Sequence, residues 1–281
     1  MHSFHTSFPG YVDAHVHLKD AGAVADLVRA GIVAARDAGM REAAGTARIA
    51  PATGIRILSA VHAIVPAQGY GAFLGAAVAT RQEMREEIRR LRAAGAGIIK
   101  VIASGVVSLR QPKTVTAGGF GADELRFMVA EAAAAGLSVM AHANGAEAIR
   151  AAALAGVRSV EHGFFMSEGI LDLLAERRIF WVPTVGALKR AADAIALNDE
   201  MRKSIDRTIE EHLEMIRKAF SLGVPLAVGT DVVLPDERYS GWYQDELAYF
   251  RKAGIPADAV DRIATKGGRE LLGLNQVNEG R

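Results

Sequence analysis

A helix-like segment closed by glycine and followed at once by a short apolar run recurs along this chain. It appears as Ala30-Gly31-Ile32-Val33, Gly97-Ile98-Ile99-Lys100-Val101, Gly136-Leu137-Ser138-Val139-Met140, Gly156-Val157 and Gly223-Val224. Glycine suits the left-handed position just past a helix C-terminus because it has no Cβ to clash. The apolar runs after it read as strands buried on both faces, the habit of a parallel sheet covered by helices. Adding similar runs without the glycine predicts eight strands, beginning near Tyr11, Ile32, Ile55, Ile98, Leu137, Val157, Ile179 and Val224.

Helix-like segments separate these strands. Thr80 to Ala94 opens with the capping pair Thr80 and Glu83, and Glu86 stands four residues before Arg90 as on a solvated helix face. Ala187 to Leu222 is long enough for two helices with a break at Asn198-Asp199, and further helices are predicted near Gly241 to Ala253 and Pro256 to Leu272. Strands alternating with helices over 281 residues predict an α/β fold, a (β/α)8 TIM barrel forming a single domain over residues 1–281. A doubly wound open sheet has the same alternation. No Gly-x-Gly-x-x-Gly turn follows the first strand, which counts against dinucleotide binding.

Composition narrows the partners. Lys plus Arg total 33 against 32 for Asp plus Glu, so no charge excess points to nucleic acid or an anionic membrane. There is no cysteine, which excludes disulfides and thiolate metal sites. Met1-His2-Ser3-Phe4-His5 lacks a basic region leading into an apolar run, and no uncharged apolar stretch reaches the roughly 20 residues of a membrane span. The expectation is a cytoplasmic protein with a small-molecule substrate and no membrane partner, with homo-oligomerisation left open.

In such barrels the chemistry sits at the C-terminal ends of the strands. Strand one ends Asp13-Ala14-His15-Val16-His17, and residues two apart on a strand share a face, so His15 and His17 can both enter the barrel mouth. Alone, such a pair is as readily two satisfied polar residues. Strand four carries Lys100 inside an apolar run, a costly place for an isolated charge. It could be partly exposed, could be a Schiff-base nucleophile of lowered pKa, or could be carboxylated by carbon dioxide to a carbamate able to bridge two metals. Strand five ends with His142, strand six with His162 and strand eight with Asp231. Four of eight histidines, a lysine and an aspartate at the same ends of five strands form a set of imidazole and carboxylate ligands suited to zinc or related ions.

At these residues the chain resembles the amidohydrolase superfamily, whose signature is His-x-His on strand one, a ligand on strand four, histidines on strands five and six, and aspartate on strand eight. The flanks Pro9-Gly10-Tyr11-Val12-Asp13-Ala14-His15, Arg36-Asp37-Ala38-Gly39, Glu161-His162-Gly163 and Gly229-Thr230-Asp231 match as well. Among subgroups the likeness is to imidazolonepropionase-like and prolidase-like metal hydrolases, with Ile99-Lys100-Val101-Ile102-Ala103-Ser104-Gly105 the closest local match. The resemblance implies two divalent metals, zinc first and manganese, cobalt or iron as alternatives. One would be held by His15, His17 and Asp231 and the other by His142 and His162, with carboxylated Lys100 between them. It implies hydrolysis by a metal-activated hydroxide, with Asp231 moving the proton. Such subgroups usually carry a β-sandwich beside the barrel, and the expectation here is a barrel without one.

Substrate contacts are less legible. The segment Pro66-Ala67-Gln68-Gly69-Tyr70-Gly71 and the segment Ser104 to Gly121 are candidate lids, with Tyr70, Arg110 and Lys113 as substrate contacts and His62 either contacting substrate or completing a pocket. Arg110 and Lys113 read equally well as solvated loop charges. His2, His5 and His212 carry no pattern. The favoured activity is cleavage of an amide in a dipeptide or N-acyl amino acid. A lactone, carboxylic ester or organophosphate would use the same metals, while a deaminase, a Schiff-base aldolase and a non-catalytic binding protein are the competing classes.

Overall fold

The computed structural model describes residues 10–41 and 54–274. His2, His5 and Pro9 lie outside them. The predicted barrel is the fold observed. Its ring runs through β1 (Tyr11–Leu18), β2 (Ile32–Asp37), a third strand in two halves, β3 (Arg56–Ser59) and β4 (Ala63–Pro66), and then past β5 (Gly75–Val78) to β6 (Ile98–Ile102). It continues through β7 (Ser138–Ala143), β8 (Ser159–His162) and β9 (Phe180–Val182). All paired strands are parallel.

Two joins complete the ring. The third strand breaks at Ala60-Val61-His62, where Val61 takes φ 64°. Its lower half pairs with β2, its upper half pairs with β6 from Ala63 opposite Lys100, and Gly97 N–H donates to Ser59 O at 2.9 Å. The eighth strand, expected from Val224, is a short extended run. It bonds to β9 through Trp181 N–H to Pro225 O (2.9 Å), and to β1 through Ala14 N–H to Val228 O (2.8 Å). Beyond Asp231 the chain pairs again with β1 as β10 (Val232–Leu234).

The helices start and stop where local chemistry dictates. In α1 (Ala21–Ala30) Asp20 accepts from Gly22 N–H, and Gly31 closes the helix at φ 79°. Thr80 and Glu83 form the expected capping box of α2 (Arg81–Ala93). There the left-handed residue is Gly95 (φ 94°) rather than Gly97, whose missing Cβ instead makes room for Leu58. α3 (Ala122–Ala134), α4 (Ala146–Ala155) and α5 (Glu168–Glu176) follow in turn. The long polar segment divides into α6 (Val185–Asp193) and α7 (Asp199–Ser221) with Asn198 as N-cap, at the predicted break. α8 (Tyr239–Lys252), α9 (Ala257–Arg262), a π-helical turn Ile263–Gly267 and α10 (Gly268–Leu271) complete the described chain.

The main apolar core lies between strands and helices. A second cluster joins Val12, Ala14, Ala34, Phe180, Val182 and Ala227 to Leu271 and Leu272 of the C-terminal helical segment. Buried among the strands are charged and polar side chains, Arg36, Lys100, Ser159 and Glu161, on which the histidines rest. No described helix is long and apolar enough to cross a membrane.

Candidate metal centre

Asp13, His15 and His17 share one parity on β1, yet they do not share one environment. The ladder to β2 slips between Asp13 and Val16, and such a bulge re-aims side chains. Asp13 accepts from Thr230 Oγ1 (2.7 Å) and from the hydroxyl of Tyr239 on α8 (3.0 Å). His15 and His17 instead meet at the mouth, each with its Nδ1 occupied. His15 Nδ1–H donates to Glu161 Oε2 and His17 Nδ1–H to Gly39 O, both at 2.7 Å. These bonds leave both Nε2 atoms facing the same oxygen, Asp231 Oδ1, at 3.3 Å and 3.2 Å.

That convergence tests the metal reading. With both imidazoles neutral, two nitrogen lone pairs and a carboxylate oxygen have no proton to share and call for a cation among them; without a metal, a proton on Nε2 fills that place, and either way the three atoms form a cation-binding cluster. Tetrahedral ligands at ~2.0–2.1 Å from zinc stand about 3.3 Å apart, which is the spacing found. His162 adds to the set: its Nδ1 bonds Thr184 Oγ1 (2.7 Å), and ligand atoms of His15, His162 and Asp231 lie within 4.8 Å of one another. His142 follows, its ring 4.5 Å from that of His162 and its Nε2–H donating to Gly105 O (2.9 Å), a neutral tautomer that keeps a lone pair on Nδ1. Lys100 is 1% exposed and places Nζ 3.5 Å from His15 Nε2. The structure therefore gathers all six of the expected ligands in one place.

Electrostatics suits metal ligation, which needs neutral imidazoles. Burial, reinforced by Lys100, lowers His15 and His142 to about 4, and burial with His142 holds His162 well below its ordinary value. Burial also lowers Lys100 to about 8, against the pull of Glu161 and Asp231. For Asp231 burial opposes ionisation, but His15 and His17 outweigh it and hold the carboxyl well below its usual range.

The supports of these ligands were not recognised in the sequence as functional. Glu161 accepts from His15 and, through both oxygens, from Arg36 Nη2 at 2.8 and 2.9 Å. Burial would raise it, but Arg36 and His15 bring it down to about 2. Arg36 also donates to Ala14 O and Ser159 Oγ, both at 2.7 Å. Asp37 accepts from the N–H groups of Leu18 and Gly39 and from Ser59 Oγ. It thereby fixes Gly39, whose carbonyl orients His17. Gly39 itself is required, because at φ 78° a Cβ would sit 2.7 Å from the His62 backbone. A charged Arg36-Asp37 pair inside an otherwise apolar strand was the available signal.

The remaining candidates are placed as follows. Tyr70 sets its ring 5.2 Å from that of His142 at a tilt of 33°, and burial and the charge of Asp231 push the pKa of its hydroxyl up. The two candidate lids touch through an antiparallel bridge, Gly69 to Gly118. His62 Nε2 bonds Glu87 Oε1 on α2 at 2.7 Å and is not brought to the ligand cluster. Lys113 is exposed and pairs with Glu211 of α7 at 2.8 Å, and Arg110 is exposed on the same loop. His212 is buried, stacked on Phe164 with ring centroids 3.9 Å apart, with Nε2 3.4 Å from Pro183 O.

The chain is similar to known proteins over almost all its described length. Ochratoxinase of Aspergillus niger is 35% identical over 153 residues, which is 54% of this chain and 31% of that protein, so the match spans about a third of the relative's length. The crystal structure of the A. niger ochratoxinase superposes with a TM-score of 0.78 at 22% identity, covering 94% of this chain and 71% of that one, a likeness of fold. A Xaa-Pro dipeptidase with bound methionine in its active site gives a TM-score of 0.74 at 26% identity, over 95% of this chain and 75% of that one. The model of the amidohydrolase family matches residues 6–279. The chain belongs to the amidohydrolase family.

Proposed function

We propose that this protein is a metal-dependent hydrolase that cleaves an amide bond in a small molecule, a dipeptide or an N-acyl amino acid. The observation that carries the reading is the convergence of His15 Nε2 and His17 Nε2 on Asp231 Oδ1. Likeness to a Xaa-Pro dipeptidase supports a dipeptide-sized substrate. His15, His17 and Asp231 would hold one divalent ion, His142 and His162 a second, with Lys100 between them as a carbamate. Bound ions would supply Lewis acidity and a water of lowered pKa.

The chain's own groups do the rest. Glu161 and Gly39 keep His15 and His17 in the tautomer that presents Nε2. Asp231, ionised and 22% exposed at its side chain, takes the proton of the attacking water and returns it to the leaving nitrogen. The Tyr70 hydroxyl, kept protonated by burial, makes no hydrogen bond to a described residue and is free to donate to the substrate carbonyl oxygen. Arg110, exposed on the lid, is the group for a substrate carboxylate, whereas Lys113 must first leave Glu211.

The test is elemental analysis of protein expressed with zinc and bicarbonate, followed by a screen of dipeptides, N-acyl amino acids, lactones and esters. Two metals per chain with turnover on an amide support the reading. A protein that binds metal but turns over only lactones or esters shifts the bond class, and one that binds no metal overturns it.

A further inference from the structure

Two ligands, His162 and Asp231, stand in left-handed backbone conformations at φ 66° and 54°, and Thr184, which holds His162, does so at φ 47°. Non-glycine residues adopt that region at a cost and persist there only when neighbours enforce it. Strand residues hold part of this backbone, as Trp181 Nε1–H does by donating to His162 O at 2.8 Å, and two side chains reach it from the outer helices. Glu246 of α8 is fully buried, and its two carboxyl oxygens accept from Val185 N–H (3.1 Å) and Gly186 N–H (2.7 Å) at the start of α6. A helix normally satisfies those donors with its own N-cap side chain. Thr184 occupies that position without making such a bond, because its hydroxyl is engaged with His162 Nδ1. Glu246 therefore supplies from another helix the cap that Thr184 gives up.

Arg190 acts one and a half turns further along α6. Its Nη2 donates to Thr230 O, while the N–H of Asp231 donates to His15 O at 2.6 Å. The peptide joining Thr230 to Asp231 is thus pinned at both its oxygen and its nitrogen. Gly186 lies between the Glu246 carboxyl group and the Arg190 guanidinium, and a Cβ there would fall 2.6 Å from Glu246 Oε1 and 2.8 Å from Arg190 Nη1.

We propose that Glu246 and Arg190 are positioning residues that, through α6, set the placement of His162 and Asp231 in the metal centre. The inference rests on the metal-hydrolase reading for the role of those ligands.

The experiment compares Glu246→Gln, Arg190→Met and Arg190→Lys with the parent protein. Zinc affinity is measured by chelator competition and ligand geometry by the visible spectrum of the cobalt-loaded protein. Gln offers one carbonyl oxygen to two N–H groups and turns an amide N–H₂ against the other, so Glu246→Gln should weaken zinc by about 10–100-fold and shift the cobalt bands. Arg190→Met should do the same, with partial recovery in Arg190→Lys, which keeps one donor for Thr230 O. Parental zinc affinity and an unchanged cobalt spectrum in both Glu246→Gln and Arg190→Met would overturn the proposal. If the parent binds no metal, the functional reading fails first. The positioning claim is then decided by the His162 Nδ1–H resonance of the metal-free protein: its loss in Glu246→Gln supports the proposal, and its persistence refutes it.

Discussion

Lys100 offers a quantitative test of how burial prepares the site. In the metal-free protein its amine is enclosed by β6 and the mouth histidines, and burial brings it from 10.5 to about 8. At 1.36 kcal/mol per unit, the fold disfavours the ammonium by roughly 3 kcal/mol. Only the neutral amine has the lone pair that attacks carbon dioxide, forming the N–C bond as the nitrogen gives up a proton. At pH 7 about 9% of Lys100 would be neutral, against about 0.03% for an unshifted lysine, a gain of about 300-fold in reactive amine. At fixed dissolved carbon dioxide, the initial rate of carbamate formation should rise roughly fivefold from pH 7 to 8, less than about twofold to pH 9, and then level off. The assay mixes metal-free protein with ¹³C-labelled carbon dioxide, traps the product at intervals with excess zinc, and integrates the carbamate carbon by NMR. Lys100→Ala identifies the signal. A rate that climbs about tenfold per unit up to pH 10 would show an unshifted lysine, and a signal that survives in Lys100→Ala would place the carbamate elsewhere.

The same shift predicts a stability profile. Lys100 has a lower pKa folded than unfolded, so the unfolded chain binds more protons between about pH 8 and 10.5, and metal-free stability should rise across that window relative to Lys100→Met. Denaturant melts of the pair measure it; a difference curve that is flat there removes the burial argument. His15 and His142, lowered to about 4, work in the opposite range: metal-free stability should fall as pH drops below the unfolded histidine value toward 4, and should recover on zinc loading. Glu161→Gln should weaken zinc about 10–100-fold by losing control of the His15 tautomer, and leaving Arg36 buried without its partner should destabilise the fold by roughly 3–5 kcal/mol. Adding Arg36→Met should restore stability but not zinc affinity, whereas restoration of both would mean that Glu161 serves packing alone. Asp231→Asn should cut turnover by at least about 10²-fold on any amide the protein hydrolyses, and unchanged turnover would remove Asp231 from proton transfer.

Much of this was legible in the order of residues because its physics is local. Glycine at a helix end, Thr80 with Glu83, Asn198 before the long helix and β-branched runs of strand length act within a few residues of themselves. The ligand types at strand ends were equally readable, since alternation and the parallel barrel send those ends to one rim. What the sequence could not show are interactions between residues brought together only by closure. Glu161 looks like a flank of His162, yet it serves His15, 146 positions away. Asp13 shares parity with His15 but turns to α8 because the ladder slips between Asp13 and Val16. Glu246 reads as one more charge on an amphipathic helix, and only packing of α8 against α6 makes it the cap beside His162. Local propensity is written in neighbours along the chain, whereas tautomer, pKa and ligand spacing depend on burial and on partners that exist only once the ring is closed.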